Sequence, residues 1–320
     1  MTRVSVGGRL HFGFLNLALS RERLYGGLGV ALAEPRVVLD ATRADGVDCD
    51  HPDAREYVER AVELLDVPGA SVTVAETLPR HHGLGSGTQL ALATLTAVAE
   101  AWDRDPQVRA RAPDLGRGGR SGVGVGTFEA GGFVLDAGHP TTRFTTDRPA
   151  DGEWTVPAVA VRHTIPDDWR FLLVLPDAAP GRDGDAEDAS MRSAVDSADP
   201  ELGDRISGIV TRRLLPALAE ERLSVFGEAV AEIGRLNGAW YADQQGGVYR
   251  PPVGAVVEAL SESSAITGAG QSSWGPAVYG VTDTSRAGAA VAAGEAALER
   301  AGVGGEVRVV SARNHGARVE

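Results

Sequence analysis

The stretch Pro79-Arg80-His81-His82-Gly83-Leu84-Gly85-Ser86-Gly87-Thr88-Gln89 is the part of this chain best suited to chemistry. Glycines at every second position (Gly83, Gly85 and Gly87) let a backbone approach a ligand closely. Ser86 and Thr88 add hydroxyls. A long apolar segment follows; if it is a helix, its first N–H groups lack internal partners and its dipole is positive at that end. Such a loop takes an anion, most naturally phosphate or diphosphate. It is not a Walker A loop, because no Gly-Lys-Ser/Thr is present. The competing explanation is a turn that simply needs small residues.

Other residues of suitable type lie near further glycines. Arg117 and Arg120, followed by Ser121, are set in Gly116–Gly122, where each could clamp a phosphate or carboxylate bidentately. Plain surface arginines are the alternative. Arg9 and His11 alternate with Leu10 at the end of a first strand and so face one side, which suits anion contact; a satisfied structural His11 is the alternative. Arg23 is a weaker anion candidate. A third turn, Gly268-Ala269-Gly270-Gln271-Ser272-Ser273-Trp274-Gly275, offers Gln271, Ser272 and Trp274 to close a pocket, with Trp274 either stacked on a ligand ring or part of the core. The seven histidines have no ligand spacing, so no protein-built metal site is expected.

Elements must position these groups. Residues 2–6 read as a strand, and Val30 to Leu39 as another, broken at Glu34-Pro35. Residues 53–66 have helical spacing of Ala54, Tyr57, Val58, Ala61, Leu64 and Leu65. Val72–Val74 is a short strand. Gln89 to Trp102 is a helix with almost no charge, which predicts burial on most sides. Gly116 to Gly132 reads as glycine-rich, then 133–136 as a strand, and 141–155 as a polar boundary region. The remainder runs strand (171–175), helices (205–237), helix (252–261), strands near 265–267 and 277–281, helix (286–301) and strand (307–310). That is β-α-β-β-α-β, an α+β pattern. Residues 178–204, with few large apolar groups, read as a mobile loop or lid, or as a merely solvated acidic loop.

Composition narrows the classes. At 43% hydrophobic the chain is globular, and its 320 residues suit one large or two moderate domains. No apolar run approaches the ~18 residues that span a bilayer, and the N-terminus lacks the apolar core of a signal peptide. The single cysteine, Cys49, cannot form an internal disulfide. A cytoplasmic location is expected. The net charge is −13, and no lysine occurs; every basic residue is arginine. That fits a protein working in concentrated salt, with codon bias as the other explanation. The acidity argues against nucleic acid as partner. A homodimer is expected on the general prevalence of two-fold oligomers.

The loop at 79–89 with its small-residue helix resembles the phosphate-binding motif of the GHMP kinases. Gly119–Gly122 with Gly131-Gly132-Phe133, and Gly268–Gly275, resemble that superfamily's two further marks. The resemblance spans nearly the whole chain. It implies an α+β GHMP fold with a ribosomal-protein-like phosphate-binding domain over residues 1–155 and a ferredoxin-like domain over 156–320. Many members carry Ser-Gly-x-Asp in the middle motif, the aspartate being the base of the kinase reaction. Here the stretch is Ser121-Gly122-Val123-Gly124, and glycine cannot take a proton.

Several segments together are similar to a subgroup, the β-ribofuranosylaminobenzene 5'-phosphate synthases: Arg9–Asn16, Tyr25–Val30, His82–Leu90, Gly116–Gly122, Gly131–His139 and Gln271–Pro276. The resemblance implies condensation of phosphoribosyl pyrophosphate with 4-aminobenzoate or 4-hydroxybenzoate, with loss of carbon dioxide and pyrophosphate, on the way to methanopterin-type cofactors. It implies that Gly83–Thr88 hold pyrophosphate or the 5'-phosphate, that His11 and Arg120 act on the leaving group and an anion, and that Asn16 and Gln89 orient the ribose or ring substituents. Magnesium is implied only as a partner of the pyrophosphate. An ATP-dependent small-molecule kinase of the same fold, or a non-catalytic phosphate-ligand-binding protein, are the alternatives.

Overall fold

The computed structural model describes residues 1–147, 149–179, 181 and 184–320, except the side chains of 184–186. The first half contains β1 (Thr2–Asn16), β2 (Arg23–Arg43), β3 (Val47–Asp48), α1 (Pro52–Leu65), β4 (Ala70–Glu76), α2 (Ser86–Ala101), α3 (Val108–Arg111), α4 (Val123–Ala130), β5 (Phe133–Asp136), β6 (His139–Pro140) and β7 (Val159–His163). The second half contains β8 (Trp169–Pro176), α5 (Gly184–Asp196), α6 (Pro200–Ile209), α7 (Leu215–Ala219), α8 (Leu223–Trp240), α9 (Ala242–Gln245), α10 (Val253–Ser261), β9 (Gly268–Gln271), β10 (Val278–Asp283), α11 (Ala287–Ala301), β11 (Gly305–Ser311) and β12 (Arg318–Val319).

One sheet runs β12-β1-β2-β4-β3, with β5 joined to β2 and β7 to β5. β7 and β12 belong to it although they follow residue 155. β1 and β2 pair antiparallel from Thr2↔Ala41 to Asn16↔Tyr25, with register shifts at Gly7/Arg9 and His11/Gly13. Such bulges re-aim side chains, and these two bracket Arg9 and His11. α2 has no polar face: Gln89 through Ala99 are all buried. It packs on β1 and β2 on one side and on the Ala54, Val58, Ala61 and Leu65 stripe of α1 on the other.

The second sheet has the order β11-β8-β10-β9, every pair antiparallel. Numbered by chain order that is 4-1-3-2, the ferredoxin-like arrangement. Alternation along β8 makes both faces apolar. Leu172 and Val174 pack under α10 and α11, whereas Phe171 and Leu173 face α8 and the first sheet. On that second side Phe12 of β1 meets Phe226 and Tyr279 edge-on, with centroids 6.1 and 5.0 Å away. The halves therefore share a core.

Several elements differ from the sequence reading. β1 runs on to Asn16, and β2 stays extended through Glu34-Pro35, although its ladder with β1 is interrupted there, passing from Gly7↔Arg36 to Arg9↔Ala31. The glycine-rich stretch after 116 contains a helix, α4, because Val123, Val125 and Phe128 bury an apolar face. Gly268–Gln271 is itself a strand, not a turn after one. The expected loop at 178–204 is mostly helical, as α5 and α6: Asp199 caps α6 by accepting from the Glu201 N–H, and Ile206 and Ile209 are buried. Residues 180, 182 and 183 of that segment lie outside the described residues. Among the described residues no helix is long and apolar enough to cross a membrane.

Candidate active site

The glycine loop opens into a cleft of about 490 Å³ between the two halves. Gly83 (φ +81°) and Gly85 (φ +78°) hold left-handed conformations that the turn requires. Gly85 caps α2 with no side-chain cap, so Ser86, Gly87 and Thr88 meet the cleft with amides that lack helical partners. The loop is tied by β1 and by the segment ahead of β10. Arg9 N–H donates to Leu84 O at 2.9 Å, Arg9 Nη1 donates to Gly83 O at 2.5 Å, and Ala277 N–H donates to His82 O at 3.1 Å.

Cations rim this opening. Arg9 is half-buried, and desolvation pulls its guanidinium down to about 10, still protonated at neutral pH. Arg117 lies over the start of α2: a Cβ on Gly87 would meet its Nη1 at 3.0 Å. Its guanidinium stacks on the Tyr57 ring at 5.3 Å, and its Nε is buried with no partner among the described residues. Arg120 also lines the cleft but is engaged by two carboxylates of α5, Glu187 at 2.9 Å and Asp188. These are the only acids lining the cleft among the described residues.

His11 stands at the cleft wall. Burial and then the nearby Arg9 charge hold its imidazole down to about 3, so it is neutral at ordinary pH. Its Nε2 lies 3.2 Å from Ser121 Oγ, which in turn donates to Asp136 Oδ2 at 3.1 Å. A narrower niche adjoins the cleft at His11 and Phe14 and is lined further by Asn237, Tyr241, Gln271 and Trp274. Trp274 packs against Tyr241 with ring centroids 4.7 Å apart.

Not every sequence-derived candidate reaches this place. Arg9, His11, Gly83, Gly85, Ser86, Gly87, Thr88, Arg117, Arg120, Ser121 and Trp274 converge on the cleft. Gln89 does not, because it points into the core and donates to Gly124 O at 3.0 Å. Asn16 is buried beneath the following turn, bonding Ala18 O and Arg23 O. Gln271 lines the niche only, donating to Ser273 O. Ser272 is fully buried and acts as a tie between Gly83 O and the His11 amide. Arg23 is turned away, donating to Ala137 O and Gly138 O.

Comparison with known proteins decides the family. The chain is 30% identical to the β-ribofuranosylphenol 5'-phosphate synthase of Methanothermobacter thermautotrophicus, covering 98% of this chain and 97% of the relative. The chain belongs to this synthase family. The Archaeoglobus fulgidus synthase is likewise 30% identical, over the full length of both chains. The description "GHMP kinases N terminal domain" matches residues 54–131. L. major mevalonate kinase superposes with a TM-score of 0.69 at 14% identity, covering 96% of this chain and 95% of that one, a likeness of fold. This member of the synthase family is thus an enzyme of the GHMP superfamily and acts as a transferase, on an α+β GHMP-type fold.

Three residues of the site escaped sequence reasoning. Asp136 lies twelve positions past Gly124 and reads as the end of a buried strand, yet it supports Ser121 from behind. The available signal was an aspartate closing an otherwise apolar strand, Phe133-Val134-Leu135-Asp136, where a carboxylate is costly unless it is bonded. Tyr241 and Tyr57 were also missed, since nothing in their local pattern sets them apart from core aromatics.

Proposed function

We propose that this synthase joins C1 of phosphoribosyl pyrophosphate to the ring carbon of 4-hydroxybenzoate or 4-aminobenzoate that bears the carboxylate, releasing carbon dioxide and pyrophosphate. The phenol in the relatives' name favours 4-hydroxybenzoate. One observation carries the reading: the uncapped start of α2 and the guanidiniums of Arg9 and Arg117 face one cleft, while position 124 has no carboxylate to activate an alcohol. In the proposed reaction the diphosphate rests on the amides of Ser86, Gly87 and Thr88. Arg117 and Arg9 offset the charge that grows as the C1–O bond breaks. The ring attacks C1, and the electrons of the ring–carboxylate bond return to the ring as carbon dioxide leaves. No hydroxyl need be deprotonated.

We take Mg2+ to arrive with the diphosphate, because oxygen-rich phosphates suit it. We further propose a cytoplasmic homodimer in a halophilic host, serving methanopterin-type biosynthesis without nucleic acid or membrane partners, in keeping with the net charge of −13 and the absence of lysine.

The test is release of labelled carbon dioxide from carboxyl-labelled 4-hydroxybenzoate with phosphoribosyl pyrophosphate and Mg2+ in concentrated salt. Product formation that requires both substrates is expected. Turnover of ATP with mevalonate-like or homoserine-like alcohols, and none with phosphoribosyl pyrophosphate, would overturn the reading.

A further inference from the structure

Asp136 begins a chain of polar contacts that runs from the core to the cleft. It is fully buried, and among the described residues no cationic side chain pairs with it. Dipoles hold it instead. The Gly122 N–H donates to Oδ2 at 2.7 Å, the Gly138 N–H to Oδ1 at 2.8 Å, and the Ser121 hydroxyl to Oδ2 at 3.1 Å. Burial pushes its carboxyl up to about 6, so at neutral pH it is a carboxylate, which only accepts hydrogen bonds.

The consequence is directional. With its proton committed to Asp136, Ser121 Oγ has only lone pairs for its other neighbours. One accepts from the Val123 N–H at 3.2 Å, and the other faces His11 Nε2 at 3.2 Å. Nε2 must therefore carry the proton of the neutral imidazole. Nδ1 is then a bare acceptor, and no protein group bonds it among the described residues. The fold makes room for this arrangement: a Cβ on Gly27 would lie 2.2 Å from Ser121 Oγ, 2.9 Å from Asp136 Oδ2 and 2.9 Å from His11 Nε2. Beside His11 is the niche lined by Phe14, Tyr241 and Trp274, where the Tyr241 hydroxyl is buried with no partner among the described residues. The niche encloses only about 50 Å³, room for the polar substituent of an aromatic acid but not for its ring, which would lie at the niche mouth in the cleft.

We propose that Asp136 is a positioning residue: through Ser121 it fixes His11 as the Nε2–H tautomer, so that Nδ1 accepts a hydrogen bond from the hydroxyl or amino group of the aromatic acid. The role in turnover rests on the synthase reading above; the tautomer does not. As the ring attacks C1, the lone pair of the para substituent feeds the ring, and its O–H or N–H becomes a stronger donor. A hydrogen bond to Nδ1 then tightens in the transition state, which is where binding accelerates reaction. When carbon dioxide departs, its bonding electrons restore the ring and the substituent keeps its proton.

The test uses the full-length protein labelled with 15N-histidine, His11 being assigned by comparison with His11→Gln. The wild type is expected to show a protonated Nε2 and an unprotonated Nδ1 at His11. Ser121→Ala and Asp136→Asn are expected to lose that preference and to lower kcat by about 10- to 100-fold, the worth of one hydrogen bond made mainly in the transition state. The KM for phosphoribosyl pyrophosphate should stay within about threefold, well under the tenfold that 1.4 kcal/mol of lost binding would cause. An Nδ1–H tautomer in the wild type, or an unchanged tautomer and kcat in Ser121→Ala, would overturn the proposal. Should Asp136→Asn fail to fold, Ser121→Ala decides alone. A wild type that makes no carbon dioxide from the two substrates would sink the synthase reading and the role in turnover, while the ring nitrogens still report on the tautomer.

Discussion

The hydroxyl of Ser272 donates to the carbonyl of Gly83 at 2.7 Å, binding the segment after β9 to the glycine loop ahead of α2. The same oxygen accepts from the His11 N–H at 3.0 Å. One buried hydroxyl therefore fixes both the loop and the strand that carries His11. Ser272→Ala leaves that amide without its acceptor and removes one of two donors to Gly83 O. A stability loss of about 1–3 kcal/mol is expected, the usual cost of orphaning a buried polar group. The KM for phosphoribosyl pyrophosphate should rise several-fold as the loop loosens. Denaturant unfolding and initial rates check both; if Arg9 alone held the loop, the KM would not change.

Gly83 and Gly85 share a left-handed backbone but not the same surroundings. A Cβ on Gly83 would sit 2.1 Å from the carbonyl oxygen of Ser272, whereas on Gly85 it would meet only the flexible Arg9 side chain, at 3.2 Å. Either alanine costs about 1–2 kcal/mol for its left-handed conformation. Only Gly83→Ala must also push backbone from backbone. Gly83→Ala should lose more than about tenfold in kcat/KM, since 1.4 kcal/mol already equals a factor of ten. Gly85→Ala should lose less. Equal losses would mean that the contact with Ser272 is unimportant.

Acid stability follows from three buried groups. His11 is held down to about 3 and His139 to about 4, so below about pH 6.5 the unfolded state takes up these protons first and stability falls with pH. Asp136 is pushed up to about 6, so from pH 6 to 4 the folded state takes up its proton first and stability rises. Two losses against one gain leave a net loss of roughly 1.4 kcal/mol per pH unit across that window. Asp136→Asn removes the gain, and its stability should fall about twice as steeply between pH 6 and 4. Urea unfolding of both proteins at several pH values measures the two slopes; parallel slopes would contradict the placement of Asp136.

What could be read before folding follows a physical divide. The glycine loop at an open helix start was legible because alternating glycines ahead of an apolar helix leave a backbone signature that does not depend on distant partners. The ferredoxin-like half was legible because each element has its own periodicity. Gln89, Asn16 and Ser272 were misplaced because a small polar residue beside a loop looks the same whether it meets the ligand or braces the loop from behind. That choice is made by residues far away, such as Gly83 for Ser272. Asp136 was invisible as a site residue for the same reason, since its partner Ser121 arrives through the path of α4. The 178–204 segment misled through its acidic, small-residue composition: Met191, Ala194, Val195 and Ile206 supply just enough apolar surface to seat α5 and α6.

Two of those acids have a measurable consequence. Glu187 and Asp188 of α5 hold Arg120 inside the cleft, where an anionic substrate would otherwise meet it. An incoming phosphate or carboxylate competes with them. Glu187→Gln and Asp188→Asn should each lower the KM of one anionic substrate by about threefold, consistent with the ~0.5–1 kcal/mol worth of a partly exposed ion pair. The double variant should lower it further, and high salt should shrink the difference. A rise in KM would show instead that these acids orient Arg120 for the substrate.

The position of Gly124 gives the sharpest test of where the diphosphate lies. A Cβ there would stand 3.0 Å from Thr88 Cγ2, against the side chain of the third residue of α2. Gly124→Asp places a carboxylate where the resemblance of Ser121-Gly122-Val123-Gly124 to Ser-Gly-x-Asp puts the kinase base, next to the glycine loop ahead of α2. If the diphosphate occupies the start of α2, two anions are brought close together, and like charges about 4 Å apart repel by about 4 kcal/mol at an effective dielectric of 20. The KM for phosphoribosyl pyrophosphate should then rise by at least about tenfold, with a smaller change for the aromatic acid. An unchanged KM, with the variant folded, would place the diphosphate elsewhere and remove the ground for assigning the cradle to it.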